Sequence, residues 1–274
     1  MKPKILEQAE ALGYKTFEGE YDLNIIGVRS SRIIPNKFND KLYIVYKRDG
    51  EWCEHCYPIT TVAGSYWLQN PSRIEGTAVV VHDRQYRSVW SIGLHRGQYE
   101  ALVQTGEITV WRDGNKDDRV DYGGEEYAGY FGINCHRANR NHQSASVDKW
   151  SAGCQVFANP SHFSAFMSLC RAQVAAGLGD KYSYTLIHED SLNQLSIEQA
   201  KPKKTKPKKP KTKKPKTKKP RTEDTPCLDE ELKSQSQSQK KSSRSLSPSS
   251  KKSTKPKRKT AKAAAKSPKP KDKK

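Results

Sequence analysis

Tyr130-Phe-Gly-Ile-Asn-Cys-His136, a polar spacer of fourteen residues, Ser151-Ala-Gly-Cys154-Gln-Val-Phe157 and then Asn159-Pro160-Ser161 form the stretch on which the reading of this chain turns. The first segment is apolar and β-prone, and predicts a strand ending at His136. The second sets a small residue, Gly153, beside a cysteine and continues into β-like Gln155-Val156-Phe157. In the third, Asn159 suits a helix N-cap and Pro160 a first helical position. Phe163, Phe166, Met167, Cys170 and Val174 then make an apolar stripe at helical spacing, with Gly177 placed to end it. Strand, polar loop, cysteine turn, strand and helix therefore follow in succession.

Outward from this stretch the texture is that of strands. Asp22–Arg29, Lys41–Lys47, Gly76–His82, Val89–His95, Tyr99–Gln104, Glu107–Arg112 and Lys181–His188 are β-branched or aromatic runs. Arg48-Asp49-Gly50-Glu51 is a favoured hairpin turn, and Asp113–Asp118 a polar one. Lys2–Leu12 carries Ile5, Leu6, Ala9 and Leu12 at helical spacing, with Gly13 as a stop. Many short strands and one late helix predict a mainly β domain with a sheet edge covered by that helix.

Charge divides the chain at Ala200. The whole has 50 Lys+Arg against 30 Asp+Glu, a net +20. Residues 201–274 hold 29 basic and 6 acidic residues, which leaves 21 basic and 24 acidic for residues 1–200. All Trp, Tyr and Phe lie in residues 1–200, enough for one domain. Residues 201–274 lack the apolar surface to offset ordering entropy and are expected to be disordered. No run of 18 apolar residues is present, so no membrane span is expected. The N-terminus turns charged within seven residues, so no signal peptide is expected. A cytoplasmic, intracellular or virion-associated location follows as an expectation, with the nucleus open through the basic tail. Six cysteines spread over such a chain argue against a disulfide framework.

The candidate chemistry is a thiol and an imidazole. A thiol nucleophile needs a nearby imidazole to take its proton, and a small neighbour lets a carbonyl approach backbone N–H groups. His136 at a strand end and Cys154 in a Ser-x-Gly-Cys turn meet that need; a buried structural cysteine beside a hydrogen-bonded histidine has the same pattern. The segment Gly132–His136, the spacer, Ser151–Val156 and Asn159-Pro-Ser resembles the L,D-transpeptidase catalytic domain. The match is strongest over Tyr130–Phe166 and looser around Gly76-Thr-Ala and Gly93–Val103. That resemblance implies an L,D-transpeptidase-like β fold, with Cys154 as nucleophile and His136 as general base. It also implies Gly153 and Cys154 as backbone oxyanion donors, and Ser151 positioning the turn or the imidazole. It implies a peptidoglycan-type peptide as substrate, without metal or cofactor. Two departures bear on substrate choice and on cross-linking versus hydrolysis. Ala152 stands where the family has His, and Gln155 follows the cysteine in place of Arg or Asn.

Three further residues are substrate-binding candidates. His95, in Gly93-Leu-His-Arg-Gly97, either lines the same cleft or is a satisfied strand-end histidine. Tyr86 stands in a polar turn with Asp83 and Arg84, and Arg137 adjoins His136. Cys53-Glu-His-Cys56 lacks the helix start of a redox motif and a second ligand pair for zinc. It reads first as structural, with a disulfide or a metal as alternatives.

The tail has 12 lysines in residues 201–220, a footprint for a polyanion whose binding weakens with salt. No aromatic residue interleaves to stack on bases, so sequence-specific reading is not expected. Ala261-Lys-Ala-Ala-Ala-Lys-Ser267-Pro268-Lys-Pro resembles histone H1-type tails. DNA, RNA and anionic wall polymers all fit, as does a nuclear-localisation signal. Two functions emerge. One is a cysteine transpeptidase or peptidase tethered to a polyanion, in a context that suggests a virus or phage product. The other is a non-enzymatic nucleic-acid-binding or virion protein with an inactive transpeptidase-like domain.

Overall fold

The computed structural model describes residues 1–32, 34 and 36–200. The disorder and polyanion binding expected of residues 201–274 lie outside the described residues. Eight of eleven strands close into a barrel. In chain order the strands are β1 (Asn24–Arg29), β2 (Asp40–Arg48), β3 (Glu51–Thr60), β4 (Thr77–Val80), β5 (Arg84–His95), β6 (Tyr99–Gln104), β7 (Ile108–Asp113), β8 (Tyr127–Gly129), β9 (Cys135–Arg137), β10 (Gln155–Phe157) and β11 (Tyr182–His188). Round the barrel they run β1-β11-β5-β6-β9-β10-β3-β2, and β4-β7-β8 form a separate three-stranded sheet. Two neighbouring pairs are parallel, β1 with β11 and β9 with β10. Closure leaves the barrel no free edge, so the covered sheet edge expected from the sequence is not the arrangement adopted.

Four helices accompany the strands: α1 (Lys4–Ala11), α2 (Ser65–Gln69), α3 (Pro160–Ala175) and α4 (Glu189–Ala200). The Asn159 side chain accepts the Ser161 N–H at 2.8 Å, and Pro160 opens α3 as its fixed φ favours. Phe163, Phe166, Met167 and Cys170 enter the same buried cluster as Ile25, Leu42, Ile59 and Leu186 from the barrel strands. At the next turn the expected stripe is corrected: Val174 is exposed, and Gln173 is buried in its stead. Gln173 accepts the Leu23 N–H and donates to the Gly179 and Lys181 carbonyls, so its polar end is satisfied inside. Helix α3 thus packs into the barrel core. Helix α4, after β11, was not expected.

The β2–β3 hairpin follows its turn residues. Asp49 and Gly50 both have positive φ, as the two-residue turn requires, and Arg48 pairs with Glu51. Cys53 and Cys56 lie on β3, three residues apart and so on opposite faces of the strand. Both are free thiols. Among the described residues no helix is long and apolar enough to cross a membrane.

The strand expected over Tyr130–His136 is shorter than its pattern. Only Cys135–Arg137 pairs as β9, and residues 130–134 run as a loop. The Gln104 side chain on β6 takes the N–H groups of Phe131 and Ile133 at 3.0 and 2.9 Å. Those donors are then unavailable to a strand partner, and the loop is held against β6.

Candidate active site

Strands β9 and β10 run side by side, with Gln155 opposite Cys135 and Val156 opposite His136. This parallel pairing brings two distant sequence segments to one end of the barrel. Gln155 is buried and accepts the Tyr184 O–H at 2.7 Å, and Cys135 and Phe157 join the barrel core. Cys154, one residue ahead of β10, meets Asn134, one residue ahead of β9. The Asn134 N–H donates to Cys154 Sγ at 3.4 Å, and the sulfur's own proton points to the Gly132 carbonyl, also at 3.4 Å.

The turn before the cysteine is fixed by Ser151. Its hydroxyl donates to the Cys154 carbonyl at 2.8 Å and accepts the Gly153 N–H at 3.1 Å. Its carbonyl accepts the Gly64 N–H at 3.0 Å. Ser151 is fully buried, and its hydroxyl bridges the two ends of the turn. In this structure the Gly153 N–H is taken by Ser151. The Cys154 N–H donates to no group among the described residues and remains the available donor.

Asn134 also links the sulfur to the imidazoles. Its Oδ1 accepts the Gln104 N–H, which turns Nδ2 towards His95 Nδ1 at 3.0 Å. His95 Nδ1 therefore accepts, and the ring carries its proton on Nε2. The His95 ring stacks on His136 with centroids 4.0 Å apart. His136 Nδ1 lies 2.8 Å from the Arg137 carbonyl, which can only accept, so Nδ1 holds the proton and Nε2 a free lone pair. The Tyr99 hydroxyl donates to the same carbonyl at 3.1 Å and sits 3.3 Å from Nδ1. Among the described residues no hydrogen bond joins His136 to Cys154.

Electrostatics keep these groups uncharged. Burial, then the neighbouring His95, pushes His136 down to about 3, and burial with Arg96 and Arg137 pushes His95 down to about 4. Burial also pushes the Cys154 thiol up, opposed by the Asn134 N–H and the Arg96 charge. Although Cys154 is partly accessible, its sulfur is surrounded densely enough for burial to dominate. The resting pair is a neutral thiol and a neutral imidazole, not an ion pair.

This state predicts a pH dependence. An unfolded histidine takes a proton near pH 6.5, whereas His136 in the fold resists one until about 3. The contribution to stability is complete above pH 6.5 and is lost as the pH falls towards 3. Asp40, whose carboxyl burial pushes up, works in the opposite sense, so the comparison is with a variant. His136→Gln, which cannot titrate, should show a flatter loss of thermal midpoint between about pH 6.5 and 4 than the natural chain. Parallel pH profiles for the two would refute the assignment.

A cavity of about 620 Å³ opens beside these rings. His95, His136 and Arg137 line it, with Arg96, Tyr99, Arg140, Lys149 and Trp150 among the others; Cys154 is not on its wall. Tyr86 is corrected: it is on β5, not in a turn, and is 5% exposed. Its hydroxyl donates to the Val81 carbonyl at 2.7 Å, and its ring lies in the barrel core and not on the cavity wall. Sequence reasoning missed Asn134, Tyr99, Gln104 and Arg140. Only Asn134 carried a signal, as a polar residue interrupting the apolar run before His136. Comparison of the chain with protein-family models, with curated proteins and with solved structures gives no match to any of them.

Proposed function

We propose that residues 1–200 are an L,D-transpeptidase-like cysteine transpeptidase or peptidase acting on peptidoglycan-type peptides. One observation carries this reading. The Asn134 backbone touches the Cys154 sulfur, its side chain touches His95, and His95 stacks on a His136 whose Nε2 is left unprotonated. Nucleophile, base and the group that orients the base, the Arg137 carbonyl, thus lie on one short connected path. In an apo site the thiol–imidazole bond is commonly loose and tightens on substrate.

With both groups neutral at rest, the thiol proton passes to His136 Nε2 as sulfur attacks the amide carbonyl. The S–C bond forms and the Cys154 N–H receives the oxyanion. The C–N bond then breaks, and the imidazolium returns the proton to the leaving amine. Water or a second amine resolves the thioester, giving hydrolysis or transfer. Residues 201–274 tether the enzyme to a nucleic acid or another polyanion. A raised thiol pKa and the missing Cys154–His136 bond favour a second reading, an inactive domain on a nucleic-acid-binding or virion structural protein.

Intact-mass measurement separates the two. With a peptidoglycan stem tetrapeptide, the natural chain and Cys170→Ala should gain an acyl adduct, and Cys154→Ala none. Cys170 is fully buried in the core, where burial pushes its thiol well up, and serves as the inert control. No adduct on the natural chain, with equal labelling of both cysteines by a mild electrophile, would support the inactive domain.

A further inference from the structure

The cavity beside His136 is lined by four cationic side chains, Arg96, Arg137, Arg140 and Lys149, and by no carboxylate. This runs against its surroundings, since acidic residues outnumber basic ones in residues 1–200. None of the four joins an ion pair among the described residues. Two are held by aromatic faces instead: the Arg137 guanidinium lies 3.9 Å from the Tyr99 ring centre, and Lys149 Nζ 4.2 Å from that of Tyr66. Such stacking orients a cation without neutralising it. Like charges gathered around a concave wall repel one another and focus a positive potential into it, and an anion relieves both.

Arg96, Arg140 and Lys149 are exposed and Arg137 is half-buried. Arg96 and Arg137 bear on His95 and His136, and Arg96 also bears on Cys154. Arg137 and Arg140 also border a second hollow of about 300 Å³, floored by Pro160, Phe163 and Met167 at the start of α3. Four cations along one opening suit more than one anionic group on an extended ligand. A guanidinium grips a carboxylate through two parallel N–H···O bonds, so a free carboxylate fits and its amide does not.

We propose that this cavity binds an acidic peptide with at least two free carboxylates, held among Arg96, Arg137, Arg140 and Lys149. That one carboxylate lies next to the reacting amide rests on the cysteine-enzyme reading above; the charge preference does not.

The test uses the full chain carrying Cys154→Ala, so that binding is read without turnover. Calorimetry at physiological salt compares the peptide N-acetyl-Ala-Glu-Ala-Ala, with its side-chain and terminal carboxylates free, with N-acetyl-Ala-Gln-Ala-Ala-amide. The diacid should bind at least tenfold more tightly. Arg137→Gln and Arg140→Gln, each added to Cys154→Ala, should each lose about tenfold in diacid affinity, the loss of one charged contact. The basic tail is common to all these proteins, so its attraction for an acidic peptide cancels between variants. Equal affinity for the two peptides, or diacid binding unchanged in both arginine variants, would overturn the proposal. An unshifted thermal midpoint shows that the variants are folded. Diacid binding at the cavity, with no acyl adduct on the natural chain, would retain this inference and remove the catalytic one.

Discussion

A chain ending at Ala200 is expected to lose binding to duplex DNA, while the full chain binds it with a steep salt dependence. The motive is the charge division: 29 basic against 6 acidic residues beyond Ala200, and 21 against 24 before it. A domain with slightly more acids than bases gains nothing from long-range attraction to phosphate. Each tail lysine that neutralises a phosphate releases a condensed counterion, and a ligand making six to ten such contacts loses about 10³–10⁵ in affinity between roughly 50 and 200 mM salt. Binding should be indifferent to sequence, because phosphate contacts carry no base information and residues 201–274 hold no aromatic side chain to stack. Gel shifts of both chains across a salt series measure this. A shift by the truncated chain at physiological salt would assign recognition to the folded domain, where Arg96, Arg137, Arg140 and Lys149 gather around one cavity. If the full chain ignores DNA yet binds an anionic wall polymer with the same salt slope, the tail is a wall tether and the enzyme reading gains support.

What the sequence made legible in the fold was local. Asp49-Gly50 allows positive φ at two successive residues, and a hairpin forms there. Asn159-Pro160 satisfies and fixes the first turn of a helix, and α3 begins there. Features set by distant partners were not legible. Residues 130–134 look like a strand, but the side chain of Gln104, a residue nearly thirty positions earlier, takes their N–H groups. Val174 has the right period for the core, yet Gln173 is drawn in by Leu23 and by the carbonyls before β11. Barrel closure depends on β1 pairing in parallel with β11 across most of the domain, which no local pattern encodes.

The site divides in the same way. Cys154, His136 and the small Gly153 stand out because their chemistry is local to short motifs. Tyr86 misled, since with Asp83 and Arg84 it reads as part of a polar turn, while strand β5 turns its ring inward. The residues that tie the site together, Asn134 and Tyr99, act through a backbone amide and a hydroxyl placed by neighbouring strands. Their types alone announce nothing. Electrostatics were legible only in bulk: the domain's charge balance hides a cavity walled by four cations.

Gly153→Ala is expected to disable the site more thoroughly than its small size suggests. Gly153 has φ +120°, a conformation that L residues rarely adopt, and a Cβ there would stand 2.5 Å from the Ala78 carbonyl oxygen on β4. That neighbour is backbone in a paired strand and does not swing aside as a side-chain end would. Strain and clash act together, and a loss of roughly 2–4 kcal/mol is expected, in the range of strained-backbone and overpacking substitutions. Gly132→Ala is the comparison: φ is +73°, but nothing lies within 4 Å of its added Cβ, so only the left-handed conformation is penalised, by about 1–2 kcal/mol. Urea unfolding of the two variants separates clash from strain. The consequence for chemistry is transmitted by the turn itself, because the Gly153 N–H and carbonyl are tied to Ser151 and Gln155, and Ser151 in turn holds the Cys154 carbonyl. Relief of the clash must shift Cys154 relative to Asn134 and His136, and misplacement by about 1 Å lowers a reaction rate by about 10². Acyl-adduct formation should fall by that factor in Gly153→Ala, even at temperatures where the domain stays folded. Equal stability and equal acylation in the two glycine variants would show that the turn tolerates the methyl group, and that its geometry is not what holds the thiol in place.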